Sequence, residues 1–304
     1  MNQLVFSADQ TTARLPYDAL VREIALLLQD LSVHVPARLV QALPGGGSLF
    51  VMPALDKRIA ITKLITFTPA NAGTARATIQ GDVIVFDIAS GQRMFILDGP
   101  AVTARRTAAV SLLAAQRLAP NPNGTLLIVG AGTQGRAHLD AFVQGLDVRE
   151  VVIASGSIAS ATALADYAES LGVGARVVSD PDTALSECAL VVTCTPANRA
   201  VLNATPRPDA FIAAVGAFTP SMVEIGPDIC RHIAKGGVIV LDTSDASHEA
   251  GDLLQAGLDC REFKTLRDAM GSADPLKPGP VLFKSCGWAG WDLAAARAAQ
   301  THSQ

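Results

Sequence analysis

Apolar and polar positions follow one rule in the first third of this chain and another in the rest. Between 16 and 31 apolar residues recur every three to four positions, the spacing of an amphipathic helix. RLVQAL (38–43), SLFVMPA (48–54), RIAITKLITF (58–67), DVIVFDI (82–88) and RMFILDG (93–99) carry the β-branched and aromatic residues of strands. PGGG (44–47) and SGQ (90–92) supply turns, and the run after Asp98 is helical in character until LAPNPNG (118–124), a linker. From Thr125 the pattern changes to short strands alternating with helices. TLLIVGAG, EVVIAS, ARVVS, ALVVTCT, AFIAAVGA and GVIVLD are the strands, and GRAHLDAFVQ, ATALADYAESLG and PDTALSE are helices between them. TLLIVGAG is all-apolar, as a strand buried on both faces is, and the alternation of strands and helices predicts an α/β fold with a Rossmann-type, doubly wound parallel sheet. The expected division is an α+β domain over 1–118, with a last helix in 288–304 packing back on it, and a sheet domain over 119–287.

Composition narrows the classes. The 304 residues are 49% hydrophobic and 17% charged, with a formal charge of −4 and no basic excess for nucleic acid. A mean hydropathy of +0.32 invites a membrane reading. No apolar run reaches the roughly 18–20 residues a span needs, however, and LVREIALLLQDL is broken by Arg22 and Glu23. MNQLVFSADQ lacks the basic and apolar regions of a signal peptide. The five cysteines are scattered with no C-x-x-C, which fits reduced thiols in the cytoplasm, and the five histidines show no paired spacing, so no metal site is expected.

VGAGTQGRAH places Gly130, Gly132 and Gly135 in a G-x-G-x-x-G that follows a buried strand and opens a helix. In that context Gly130 permits the tight turn, Gly132 lets main chain approach a pyrophosphate, and Gly135 allows close helix–strand packing. NAD-binding chains carry an acidic residue about 20 positions further on; here IASGSIAS offers Ser155, Gly156, Ser157 and Ser160 instead. Without a carboxylate to repel a 2′-phosphate, NADPH is favoured, with NADH also possible.

Three cations lie within apolar sequence: Arg38 in VPARLVQAL, Lys63 in IAITKLITF and Arg106 in TARRTAA. Each alone could snorkel to the surface. Together, upstream of a nucleotide domain and away from acidic clusters, they suggest an anion site. Arg105 and Arg106 point about 100° apart on a helix, so the two cannot share one task.

These stretches, with ITKLITFTPANAG (61–73), SGQRMFILDGPAVTARRTAAVSLLAA (90–115), HEAGDL (248–253) and LFKSCGWAGWDLAAA (282–296), resemble the ornithine cyclodeaminase/mu-crystallin family along nearly the whole chain. The resemblance implies that Arg38, Lys63 and Arg106 grip the carboxylate of an amino or imino acid, leaving Arg105 free to face solvent or a partner. It also implies nicotinamide-side contacts from Gly132, Thr133, Gln134, Thr193, Val215, Ser285 and Gly287, with Thr78 nearby. It further implies a homodimer in which the first domain binds substrate and forms the shared interface. Cyclodeaminases carry an aspartate in GGD-x-P; VGAFTPSM puts Phe218 there, and phenylalanine can neither accept a proton nor pair with an ammonium. Ornithine cyclisation is therefore rejected. Glu224 and Glu249 lie in matching stretches without an assignable proton-transfer role, Glu249 reading as structural.

What the resemblance then implies is NAD(P)H-dependent reduction of small cyclic ketimines, Δ1-pyrroline-2-carboxylate to L-proline and Δ1-piperideine-2-carboxylate to L-pipecolate, with a place in proline metabolism. Phe218 would line the pocket for the methylene ring. Two rivals stay open at this stage: an alanine-dehydrogenase-type enzyme that aminates a 2-oxo acid, and a non-catalytic mu-crystallin-like protein that binds NADPH and a small ligand.

Overall fold

A computed structural model describes residues 4–71, 73–74, 76–272 and 277–301. In chain order the elements are α1 (Ala8–Ala13), α2 (Tyr17–Gln29), β1 (Leu39–Ala42), β2 (Ser48–Leu55), β3 (Ile59–Phe67), β4 (Ile79–Asp87), β5 (Arg93–Asp98) and α3 (Gly99–Leu118). They continue with β6 (Leu126–Val129), α4 (Thr133–Leu146), β7 (Glu150–Ala154), α5 (Ile158–Ser170), β8 (Gly174–Val178), α6 (Asp182–Leu185), β9 (Leu190–Thr193), β10 (Asn198–Leu202), β11 (Phe211–Ala214) and β12 (Val223–Ile225). The last are α7 (Pro227–Gly236), β13 (Val238–Leu241), α8 (Gly251–Gln255), β14 (Lys264–Thr265), α9 (Leu266–Gly271), β15 (Val281–Lys284) and α10 (Ala289–Thr301). Two compact units result: Met1–Thr107 with Trp288–Gln304, and Ala108–Gly287, the division falling inside α3.

In the first unit β1 to β5 form an antiparallel sheet in simple sequence order. The alternation read in IAITKLITF sets which face is covered: Ile59, Ile61, Lys63 and Ile65 are buried, while Leu64 is 40% exposed. Lys63 thus belongs to the covered face, opposite Met52 on β2 and Val83 on β4. Helix α10 lies against α2, β2 and β3. Every residue from 289 to 299 is buried, and six of these are alanines, small enough to let the helix sit close to the sheet. Its polar members are paired: Arg297 donates from Nε to Asp56 at 2.7 Å and from Nη2 to Asp30 at 2.6 Å.

In the second unit eight parallel strands are ordered β14-β13-β15-β11-β9-β6-β7-β8. The order reverses between β6 and β9, the switch point of a doubly wound sheet. Strand β15, from VLFK, inserts between β11 and β13, and was not expected as a strand. Helix α4 is tied to α3 by His138, whose Nδ1 donates to the Gln134 carbonyl and whose Nε2 meets the Ser111 hydroxyl. Burial pushes that imidazole down to about 4, so it is neutral near pH 7. No described helix is long and apolar enough to cross a membrane.

Candidate active site

Two of the three cations singled out in the sequence meet in the first unit. Register places Lys63 on the covered face of β3, and Arg106 lies on the buried side of α3, 6% exposed. Both reach one acceptor: Asp292 Oδ1 on α10 takes Lys63 Nζ at 3.1 Å and Arg106 Nε at 3.3 Å. Two cations share one carboxylate, so a single positive charge is left over inside the fold. Burial pushes the Lys63 ammonium down to about 8; the Asp292 carboxylate pulls it upward and Arg106 pushes it further down. Asp292 Oδ2, also buried, has no hydrogen-bond partner among the described residues. A buried cluster with net positive charge, whose ammonium and guanidinium carry further N–H donors, suits a small anion. Asp292 was not singled out from sequence. The only signal was a carboxylate inside an otherwise apolar, alanine-rich helix.

Arg105 departs from expectation. Rather than facing solvent it is half-buried, its guanidinium 3.9 Å from the Tyr17 ring centre and its Nε donating to the Leu15 carbonyl at 2.5 Å. The 100° turn between neighbours sends one arginine to the Asp292 cluster and the other to α2, where a flat cation stacks on an aromatic face. Arg38 is half-buried just before β1, and Thr78, half-buried before β4, accepts at its carbonyl from Thr68 N.

In the second unit the glycine cradle has the geometry its spacing predicts. Gly130 has φ +115°, and a Cβ there would meet Cys194. A Cβ on Gly135 would lie 2.0 Å from the Gly130 carbonyl oxygen, so any side chain would force α4 off the turn. A Cβ on Gly132 meets nothing within 4 Å. Gly132 is the N-cap of α4 and supplies no capping side chain, so the start of the helix is left without a side-chain cap. Thr133 is exposed and Gln134 half-buried on that first turn.

The strand ends fall in register across the sheet: Ala154, Val129, Thr193, Ala214 and Lys284 are successive partners. Gly130, Ser155, Val215 and Ser285 are each the next residue along, and so leave one carboxyl edge together. Thr193 Oγ1 is buried there without a hydrogen-bond partner among the described residues. Past β7, Ser157 caps α5 by accepting from Ser160 N, Ser160 Oγ meets Ser157 Oγ at 3.2 Å, and Ser155 Oγ accepts from Ser157 N. Gly156 has open space where a side chain would go. The residues present fit a dinucleotide: an uncapped helix start, a cradle free of side chains and an unpartnered hydroxyl share one edge.

Buried carboxylates hold this edge, and two of them, Asp242 and Asp252, were not singled out from sequence. Asp242 Oδ2 accepts from Ser285 Oγ, Cys286 N and Gly287 N at 2.7, 3.1 and 3.0 Å, fixing the segment after β15. Lys284 pairs with Asp252 Oδ2 at 2.6 Å and donates to the Ala217 carbonyl. Asp252 Oδ1 accepts from Glu224 N and Ile225 N. Glu224 in turn accepts four hydrogen bonds, from Thr195 N and Oγ1 at one oxygen and from Gly216 N and Ala217 N at the other. Burial pushes Glu224 upward against the pull of Lys284, while four donors on two oxygens are the arrangement of an ionised carboxylate. Phe218 follows directly, half-buried against the core of this unit. The signal for Lys284 was the one that revealed Lys63, a charge in an apolar strand.

The profile of the ornithine cyclodeaminase/mu-crystallin family matches residues 19–302. The chain belongs to this family. Among family relatives, Δ1-pyrroline-2-carboxylate reductase 1 of Burkholderia multivorans is 36% identical over 97% of this chain and 94% of its own. The ketimine reductase mu-crystallin of Mus musculus is 32% identical over 83% of this chain and 79% of its own. A Thermococcus litoralis Δ1-pyrroline-2-carboxylate reductase, solved with NADH and L-proline, superposes with a TM-score of 0.85 at 20% identity, covering 99% of this chain and 97% of its own. An archaeal alanine dehydrogenase dimer with bound NAD gives 0.87 at 22% identity, over 99% and 96%. At these identities the two structures establish the shared Rossmann-type fold.

Proposed function

We propose that this protein is an NAD(P)H-dependent ketimine reductase, converting Δ1-pyrroline-2-carboxylate to L-proline and Δ1-piperideine-2-carboxylate to L-pipecolate. The observation that carries the reading is the Lys63–Arg106–Asp292 cluster, whose leftover positive charge matches one substrate carboxylate. The Arg106 fork and the Lys63 point charge would hold that carboxylate, with Arg38 as the third cation, and so fix the orientation of the attached ring. Once the ring nitrogen is protonated, C2 is electrophilic and little further acid–base machinery is required. Phe218 supplies no carboxylate for an ammonia leaving group or a water, which supports reduction over deamination, and its ring offers an apolar wall to methylenes.

Gly130, Gly132, Thr133, Gln134 and Gly135 would hold the pyrophosphate side of the dinucleotide, and Ser155, Gly156, Ser157 and Ser160 its adenosine side. Thr193, Val215, Ser285, Gly287 and Thr78 would serve the nicotinamide side. When bound, reduced nicotinamide supplies the hydride. The four residues from 155 to 160 named here include no carboxylate, which supports use of NADPH, with NADH accepted.

The reading extends to a cytoplasmic homodimer acting in proline metabolism. Five free cysteines support the compartment. Leu39, Val40 and Leu64, 58%, 48% and 40% exposed on the five-stranded sheet, support a subunit interface there. Light scattering should give about twice the chain mass, and a monomeric mass would remove the interface.

The decisive assay follows NADPH oxidation with Δ1-pyrroline-2-carboxylate, Δ1-piperideine-2-carboxylate, or pyruvate plus ammonia. Turnover with the cyclic imines alone is expected. Turnover only with pyruvate and ammonia would make the protein an alanine dehydrogenase, and NADPH binding without any turnover would make it a binding protein.

A further inference from the structure

Lys63 and Arg106 come from different elements, β3 and α3, and each is buried beside a like charge. Nothing in either element's own sequence holds the two together. The residue that does so is on a third element, nearly two hundred positions away from the nearer of them. We propose that Asp292 is a positioning residue for the carboxylate site: its Oδ1 gathers the Lys63 ammonium and the Arg106 guanidinium into one anion-binding pair.

The groups around Lys63 make the role specific. From α10 it faces Asp292, from α3 Arg106, and across the strands the apolar Met52 and Val83. The buried cation of α10 itself, Arg297, is occupied by Asp30 and Asp56. Asp292 therefore supplies the counter-charge that keeps a proton on Lys63 while Arg106 pushes against it. An amide at 292 has nearly the same shape but loses that charge. Lys63 then gives up its proton at a lower pH, and Arg106 loses the oxygen that aims it.

The proposal rests on reading this cluster as the imino-acid carboxylate site, and the test separates the two. In Asp292→Asn the alkaline limb of kcat/KM for Δ1-pyrroline-2-carboxylate should move down by about one pH unit, a loss of about tenfold above pH 8 and much less near pH 6. Carbon-13 NMR of lysine side chains, without substrate or dinucleotide, should show the Lys63 titration moving the same way. Asp292→Glu, which keeps the charge, should return both towards wild type. If activity falls equally at every pH, or if Lys63 titrates unchanged, Asp292 only fills space and the proposal is overturned. Failure of both variants to fold would also overturn it. If the wild type reduces no cyclic imine while the Lys63 titration still moves in Asp292→Asn, the ionic link holds and the substrate reading falls instead.

Discussion

Arg106→Met should lower kcat/KM for the cyclic imino acid about a hundred- to a thousandfold, raising KM and lowering kcat, with NADPH affinity changed by less than about twofold. The size follows from charge count. With Arg106 in place the cluster holds two cations and one carboxylate; without it Lys63 and Asp292 neutralise each other and the excess positive charge is gone. Losing a buried, charge-assisted partner of an anion costs about 3–4 kcal/mol, which is that range of rate. The dinucleotide cradle belongs to the other unit and contains none of these atoms. Arg105→Met is the matched control: it removes the stack on Tyr17 and the bond to Leu15, so it should cost some stability while leaving kcat/KM within about twofold. Steady-state kinetics of the pair decide the matter. Unchanged kinetics in Arg106→Met would place its guanidinium outside the substrate pocket.

Lys284→Met should destabilise the protein by about 3–5 kcal/mol, read as a lower urea midpoint or a melting temperature reduced by about 10 °C. Methionine replaces the stem of the lysine but leaves Asp252 and Glu224 buried with no cation between them. Glu224, which burial already pushes upward, then loses the cation that pulls it down, so it ionises less readily in the folded chain than in the unfolded one. A carboxyl with a raised folded-state pKa weakens folding above that pKa and ceases to do so below it, so the deficit against wild type should shrink as pH falls. Adding Asp252→Asn should recover part of the loss, because one of the stranded charges is gone. A deficit that is the same at every pH would mean that packing, not charge, is what Lys284 provides.

How far the sequence reached depends on whether a signal was local. LLIV and LVV are apolar without interruption and lie in β6 and β9 of the parallel sheet. The three glycines carry their own conformational reasons, and the structure places each in the geometry expected. VLFK escaped notice because four residues ending in a lysine do not look like a central strand, although that lysine is buried. PDICRHIAKG, which forms α7, was missed because Ile229, Cys230 and Ile233 are its only buried residues. Asp292 was out of reach for another reason. Its partners are 229 and 186 positions away, and periodicity says that a charge is inside without saying which charge it meets. The same limit applied to the arginine pair: the helix turn separates them, and only α2 and α10 decide which goes where.

Glu224 grips the loop ahead of Phe218 chiefly through main-chain N–H groups, with one threonine hydroxyl. The mooring is indifferent to the identity of residue 218 itself. A different side chain at 218 would therefore leave these bonds, and the scaffold beneath them, as they are.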